Sequence, residues 1–434
     1  MRSAIDRRRV LGGVATGIGG VAGGGGLAAP LRAAVARSPV PDAGDEQYWA
    51  RIAAQYDVTD DVTQLENGNW GMMARPVLAT YQEHVARVNR DTSFYARRGM
   101  GADLRQVREQ VARFLRADVE EIVFTRNATE ALKALIGGYN RIGAGEAALI
   151  ADLDYDSMQD AMVSAMARRG AEIVRIALPE PASHANILAA YEAAFDRHPR
   201  LRLVLLTHIS HRTGLQIPVR DIVAMARERG IDAIVDAAHS LGQVDFALPD
   251  LDADFVGLNL HKWIGAPLGV GAAYIRRGRI AAIDPDIADD DPGSGAIDSR
   301  VHTGTLDFAA LLSVPAALRF QETITAPRRA ARLRALRNRW VAGVREDRDI
   351  EVLTPDDPRM HAGMTAFRMR GQTSAHENRA LAAQLLDRFG IFTVLRTGLD
   401  SGACVRVTPA LFNSMADVDA LAGALRQIAE ERRA

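Results

Sequence analysis

The stretch LRLVLLTHISHRTGLQIPVRDIVAMARERGIDAIVDAAHS, residues 201–240, decides the fold. Leu201 to Thr207 is a largely apolar run of strand length, and Asp232 to Asp236 is a second with an apolar centre. Between them Val219 to Arg229 repeats its apolar residues at helical spacing, and Gly230 stops it. Strand, helix and strand in that order make a βαβ unit, whose strands lie parallel and are covered on both faces. Each run ends in polar residues: Thr207-His208-Ile209-Ser210-His211 after the first, Asp236-Ala237-Ala238-His239 after the second. In open α/β sheets ligands sit outside the carboxyl ends of the strands, so these ends are the place to look for chemistry.

The alternation extends outward in both directions. Further apolar runs lie at Glu121 to Thr125, Ala147 to Ala151, Glu172 to Ile176, Phe255 to Asn259 and Val270 to Ile275. Helical patterns fall at Ala128 to Ile136, Ser157 to Arg169 and Ile187 to Arg197. The prediction is an α/β fold with a seven-stranded, mostly parallel sheet. The last two runs are too close for a helical crossover, so one strand is expected antiparallel. From Val314 a long helix runs towards Val344, followed by strands at Thr365 to Met369 and Cys404 to Val407 and helices at His376 to Phe389 and Met415 to Glu431. That reads as a smaller α+β domain. The expected division is 1–36 a targeting segment, 37–75 an arm, 76–313 the large domain and 314–434 the small one.

Bulk properties narrow the function. The chain has 434 residues, 48% hydrophobic and 25% charged, with a net charge of −1. It can bury two sizeable cores, and it carries no general field that would draw in nucleic acid. Its single cysteine, Cys404, excludes an intrachain disulfide or a multi-cysteine metal site, and it sits in a strand-like alternation. Asp289 to Ser294 reads as a solvated loop rather than a metal site.

The N-terminus has Arg7, Arg8 and Arg9 before Val10-Leu11, then a mildly apolar run with nine glycines from Gly12 to Gly26, then Ala34-Val35-Ala36. Basic, apolar and A-x-A segments in that order make a signal peptide. The arginine pair and the Gly-rich core resemble the twin-arginine class, which implies export to the periplasm by the twin-arginine translocase. No later segment nears the ~20 apolar residues of a spanning helix, so no permanent membrane anchor is expected. The twin-arginine route moves folded proteins, which suits a protein that must fold around a cofactor before export.

The chemistry lies in two frames, Ile234 to His239 and Asn259-Leu260-His261-Lys262-Trp263-Ile264-Gly265. A strand-end carboxylate, Asp236, and a lysine, Lys262, are what pyridoxal phosphate requires. The amine forms the Schiff base, and the carboxylate keeps the ring nitrogen protonated so that the ring accepts electrons. The turn Arg126-Asn127-Ala128-Thr129-Glu130 opens a helix whose N–H groups, with the Thr129 hydroxyl, suit a phosphate or serve an ordinary cap. Tyr155 follows another strand and is placed to stack on a flat ring. A different reading joins His208, His211, Asp236 and His239 as metal ligands of a hydrolase, which leaves the His-Lys-Trp frame without a role. A binding protein on a catalytically dead scaffold is the other alternative, and the retained Lys262 and Asp236 argue against it.

On these motifs the chain resembles the class V aminotransferase family, fold type I pyridoxal phosphate enzymes, over roughly residues 60–430. The resemblance implies that Lys262 is the Schiff-base lysine and Asp236 the partner of the pyridine nitrogen. It implies that Tyr155 stacks on the ring and that His239, helped by His211, bonds the phenolic oxygen. Ala128, Thr129, Asn259 and His261 match phosphate-binding positions. His302-Thr303-Gly304-Thr305 resembles the loop that reaches the partner subunit's phosphate through Thr305, which implies a homodimer with shared active sites. Arg406 resembles the arginine that grips a substrate carboxylate, so the expected substrate carries an amine and a carboxylate. Cysteine desulfurases need a nucleophilic cysteine on a mobile loop well before that arginine, and Cys404 does not match. The N-terminal part resembles the isopenicillin N epimerase-like branch. Leu65 to Met73, Asn89 to Arg98 and the export signal resemble most the periplasmic pyoverdine-maturation enzymes, which modify a glutamyl side chain of a siderophore precursor. Asn67, Trp70, Tyr95 and Arg97 are the expected substrate-pocket residues.

Overall fold

The computed structural model describes residues 43–434 other than 290 and 292. The targeting segment and the start of the arm lie outside the described residues, as does part of the acidic loop 289–294.

The arm contributes a helix, Glu46–Ala53, and a short strand β1, Thr63–Gln64. The large sheet holds β2 (Ile122–Thr125), β3 (Ala147–Ala151), β4 (Glu172–Ile176), β5 (Leu201–Thr207), β6 (Asp232–Asp236), β7 (Phe255–Asn259) and β8 (Gly271–Ile275). Their order is β2-β8-β7-β6-β5-β3-β4. All neighbours pair parallel except β8, which runs antiparallel to both β7 and β2. The expected sheet, with its one reversed strand, is therefore present. Successive side chains on a strand point to opposite faces. Val204, Leu206, Val235 and Val256 accordingly enter one core, while Leu203, Leu205, Ile234 and Phe255 enter another on the opposite face. Two-sided burial is why these strands read as largely apolar runs rather than alternations.

The small domain is an antiparallel sheet of β9 (Ile350–Val352), β10 (Thr365–Met369), β12 (Val394–Arg396) and β13 (Cys404–Val407), in the order β12-β13-β10-β9. Strand β11, Ile391–Phe392, instead pairs in parallel with β1 of the arm. Helices Ala375–Phe389 and Met415–Arg433 supply its core together with Trp340 and Phe367.

One helix differs from expectation. The predicted helix from Val314 to Val344 is two, Phe308–Ile324 and Ala326–Val344. They are broken at Thr325, whose φ is 72°, and Pro327 sits in the first turn of the second helix, where its missing N–H costs nothing. The first of them packs against helices Arg75–Arg98 and Met100–Leu115 of the large domain. Helix Arg75–Arg98 is continuous across a kink at Thr92, where φ is 39°.

Candidate active site

A cleft of about 280 Å³ opens at the carboxyl ends of the large-sheet strands, and the small domain supplies its far wall. Lys262 follows β7, and Asp236 ends β6. The Lys262 Nζ lies 3.0 Å from His239 Nε2. Burial pulls the lysine down to about 8, with Arg406 and Arg396 adding to the effect and Asp236 and Glu66 opposing it. The amine is thus available near neutral pH, as a nucleophile must be. Burial also drives the His239 imidazole well below its ordinary value, so the ring is neutral and its Nε2 accepts from the ammonium.

Asp236 is buried, and its Oδ1 accepts from the Ala238 N–H at 2.9 Å. Burial raises its carboxyl, while Lys262 and that hydrogen bond favour the ionised form. A cationic partner in the cleft would complete its charge balance. Behind it Asp154, which sequence reasoning did not single out, accepts from Thr207 N at 3.1 Å, Thr207 Oγ1 at 2.8 Å and Ala151 N at 2.8 Å. Burial pushes Asp154 up to about 7 despite these bonds. Asp154 thereby fixes the end of β5 beside Asp236.

The opposite end of the cleft is a helix start. Asn127 caps helix Ala128–Gly138 by accepting from the Glu130 N–H at 2.9 Å. Asn259 Oδ1 accepts from the Ala128 N–H at 2.8 Å, which locks the helix to the end of β7. These two bonds occupy the first and third amides of the helix, and Thr129 between them lines the cleft. An anion binds such a site. His261 Nδ1 lies 2.9 Å from the Val270 carbonyl, so that nitrogen carries the proton; burial keeps the ring neutral and leaves Nε2 without one.

Tyr155 and His211 line the same cleft, ring edge against ring face at 5.0 Å and 84°. Burial pulls His211 down to about 4. The structure therefore gathers Ala128, Thr129, Tyr155, His211, Asp236, His239, Asn259, His261, Lys262 and Arg406 around one cavity. Gly68 and Asn69 of the arm join them, as does Arg396 from β12. Donors at one end, a buried carboxylate at the other and a lysine between fit a flat phosphorylated pyridine aldehyde.

Other expected residues lie elsewhere in the chain. Asn67 is buried beside the cleft, its N–H bonded to Thr408 Oγ1 at 2.8 Å, and it faces a small void behind Lys262. Trp70 is 56% exposed. Tyr95 does not line the cleft: its hydroxyl donates to Asp103 at 2.7 Å, and Arg87 lies over its ring at 4.3 Å. Arg97 and Thr305 are exposed and outside the cleft wall. The alternative metal-ligand set is not assembled; His208 packs edge-on against Phe246, and among the described residues no group of three or more such side chains can hold an ion. Cys404 is buried, and its thiol is pushed up to about 12, the opposite of a reactive nucleophile.

Residues 74–421 match the family model for class-V aminotransferases. The chain belongs to that family. Pyridoxal phosphate is accordingly its cofactor, and the cleft that gathers Lys262 and Asp236 has the donor set that would fit it. Isopenicillin N epimerase of Streptomyces clavuligerus is 29% identical over 400 residues, covering 88% of this chain and 99% of its own. Among solved structures, the cysteine desulfurase CsdA of Escherichia coli superposes with a TM-score of 0.74 at 20% identity, covering 88% of this chain and 98% of its own. C-DES, solved with glycine covalently linked to its PLP cofactor, gives 0.73 at 20% identity, covering 86% and 98%. These likenesses place the chain in the epimerase-like branch and in fold type I.

Proposed function

We propose that this protein is an exported enzyme acting at Cα of an amino acid or an amino-acid residue, in the periplasm, on the glutamyl group of a siderophore peptide. The observation that carries the chemistry is the Lys262 amine, held 3.0 Å from a neutral imidazole and lowered to about 8. When bound, pyridoxal phosphate supplies a ring that stabilises negative charge at the substrate's Cα. Asp236 keeps a positive partner opposite it. Lys262 would be placed to take or return the Cα proton, with His239 Nε2 as its hydrogen-bond partner. The cleft arginines hold the substrate carboxylate. The arginine-rich N-terminus and the arm sequence Leu65 to Met73 support the exported, peptide-tailoring reading. The likeness to isopenicillin N epimerase supports the second reading, epimerisation or transamination of an amino acid. The molecule acts as a homodimer, with Thr305 of each chain serving its partner's phosphate.

The test is the visible spectrum of the purified protein before and after borohydride, beside Lys262→Ala. The expected result is a yellow band that reduction abolishes, with the cofactor then carried on the Lys262 peptide. A protein that stays colourless with added pyridoxal phosphate sinks the proposal. Turnover of glutamyl peptides against free amino acids separates the two readings.

A further inference from the structure

A second, much smaller cavity lies behind Lys262, which forms part of its wall. It measures about 20 Å³ and is lined by Tyr56, Asn67, Trp263, Gln321 and Arg329, with apolar side chains elsewhere. That is room for one particle of about the size of a water molecule.

The wall carries a charge that the protein leaves unpaired. Arg329 is 3% exposed. Its Nε donates to the Gly242 carbonyl at 2.6 Å, and its Nη1 reaches the Gln321 carbonyl at 3.4 Å and Gln321 Oε1 at 3.2 Å. All of these acceptors are neutral. The other buried arginines of helix Ala326–Val344 do find acids: Arg332 pairs with Glu46, and Arg337 with Asp356. Among the described residues no carboxylate comes that close to Arg329. Asp245 acts on it only from farther off and is itself exposed, and Tyr56 is a phenol that burial holds protonated. Burial pulls Arg329 down to about 10, so it is still ionised at neutral pH. A buried charge without a counter-ion is costly, which is why such charges normally pair.

The same wall holds a donor with no acceptor. Trp263 is 6% exposed, and its indole Nε1–H is buried without a partner. Gln321 ties the two residues together and is itself spent in doing so: its Oε1 accepts from Arg329, and its Nε2 donates to the Ile264 carbonyl at 3.0 Å. A water in the void would leave the charge of Arg329 unbalanced. A monatomic anion balances that charge and accepts from the indole as well, whereas phosphate or sulfate is too large for the space.

We propose that the void behind Lys262 binds a single halide ion, chloride in ordinary solution, between Arg329 and the Trp263 N–H. Trp263 follows Lys262 directly in the chain, so the ion braces the lysine's loop from behind. This site is separate from the helix start at Thr129 and does not depend on which substrate the cleft takes.

The experiment uses the holoenzyme in sodium gluconate, exchanged for sodium chloride at constant ionic strength. Chloride raises the thermal midpoint saturably, by about 2–3 °C once it is tenfold above its dissociation constant, the shift such a ligand gives a chain this long. Trp263→Phe keeps an apolar ring and removes the N–H, and it raises the half-saturating chloride concentration about tenfold or more. Wild-type crystals soaked in bromide show an anomalous peak within hydrogen-bonding reach of Trp263 Nε1 and the Arg329 guanidinium. The proposal is overturned if gluconate and chloride give the same midpoint, or if Trp263→Phe responds to chloride like the wild type. Bromide found only on the surface, with the void holding water, overturns it whatever the midpoints do.

Discussion

The Glu66–Arg406 pair gives the sharpest test of how this cleft is held together. At 2.5 Å, with both side chains almost fully buried, it is one of the few ion pairs here that water does not screen. Removing one member of such a pair strands a charge and costs about 3–5 kcal/mol. Arg406→Met strands Glu66 with only Thr408 Oγ1 and the more distant Arg396, and it leaves the His211 carbonyl without its donor. At ~2 °C per kcal/mol for a chain this long, the midpoint of thermal unfolding falls by roughly 6–10 °C. Replacing both partners with apolar residues removes the stranded charge as well. Arg406→Met with Glu66→Leu therefore regains at least about 2 kcal/mol relative to the sum of the two single changes. The assay is a double-mutant cycle by thermal unfolding of the apoenzyme at fixed pH and salt. Strictly additive effects, or single changes under about 1 kcal/mol, would refute the claim that Glu66 is Arg406's fixed counter-ion.

Three further outcomes follow from the geometry. Burial lowers Lys262 to about 8, so half of it is neutral near that pH and nearly all of it by about two units higher; its labelling by trinitrobenzenesulfonate, followed by peptide mapping of the apoenzyme, should show a midpoint near pH 8 and level off by about pH 10, and a midpoint above about pH 10 would show an ordinary lysine. Asp236→Asn should keep the visible cofactor band yet lose turnover on the order of 10²- to 10³-fold, checked by steady-state kinetics at equal cofactor occupancy. Gly71→Ala places a Cβ 1.7 Å from the Lys262 carbonyl oxygen and should destabilise by at least about 1–3 kcal/mol, seen as a lower thermal midpoint and weaker cofactor retention on gel filtration.

The large sheet was legible because buried parallel strands advertise themselves as short apolar runs, and the residues just after each run fall at the ligand. Asp236 and Lys262 needed only that rule. The helix start at Ala128 was legible too, but its wiring was not. Asn259 reads as a phosphate contact in sequence, and in the structure it bonds the Ala128 N–H. Thr325 hid the break between two helices, because a β-branched residue gives no warning of a positive φ; Pro327 was the available signal. Tyr95 and Arg97 were chosen for their neighbours in sequence, and helix Arg75–Arg98 carries them away from the cleft of their own chain. Arg396 and Glu66 were missed because their meaning lies in pairing across 340 and 330 residues of sequence, which no local pattern encodes.

The arm explains how a cleft between two domains keeps its geometry. Its strand β1 adds to β11 of the small domain, and Leu65 and Asn67 are stitched to Thr408. Only a few residues later the Gly71 N–H donates to the His261 carbonyl at 2.9 Å, with no room for a side chain between the arm and the backbone of Lys262. One short segment is thus bonded at one end to the sheet that carries both arginines and at the other to the loop that carries the lysine. The segment from Glu66 to Gly71 thereby ties the wall that carries Arg396 and Arg406 to the backbone of Lys262 by covalent connection as well as by packing.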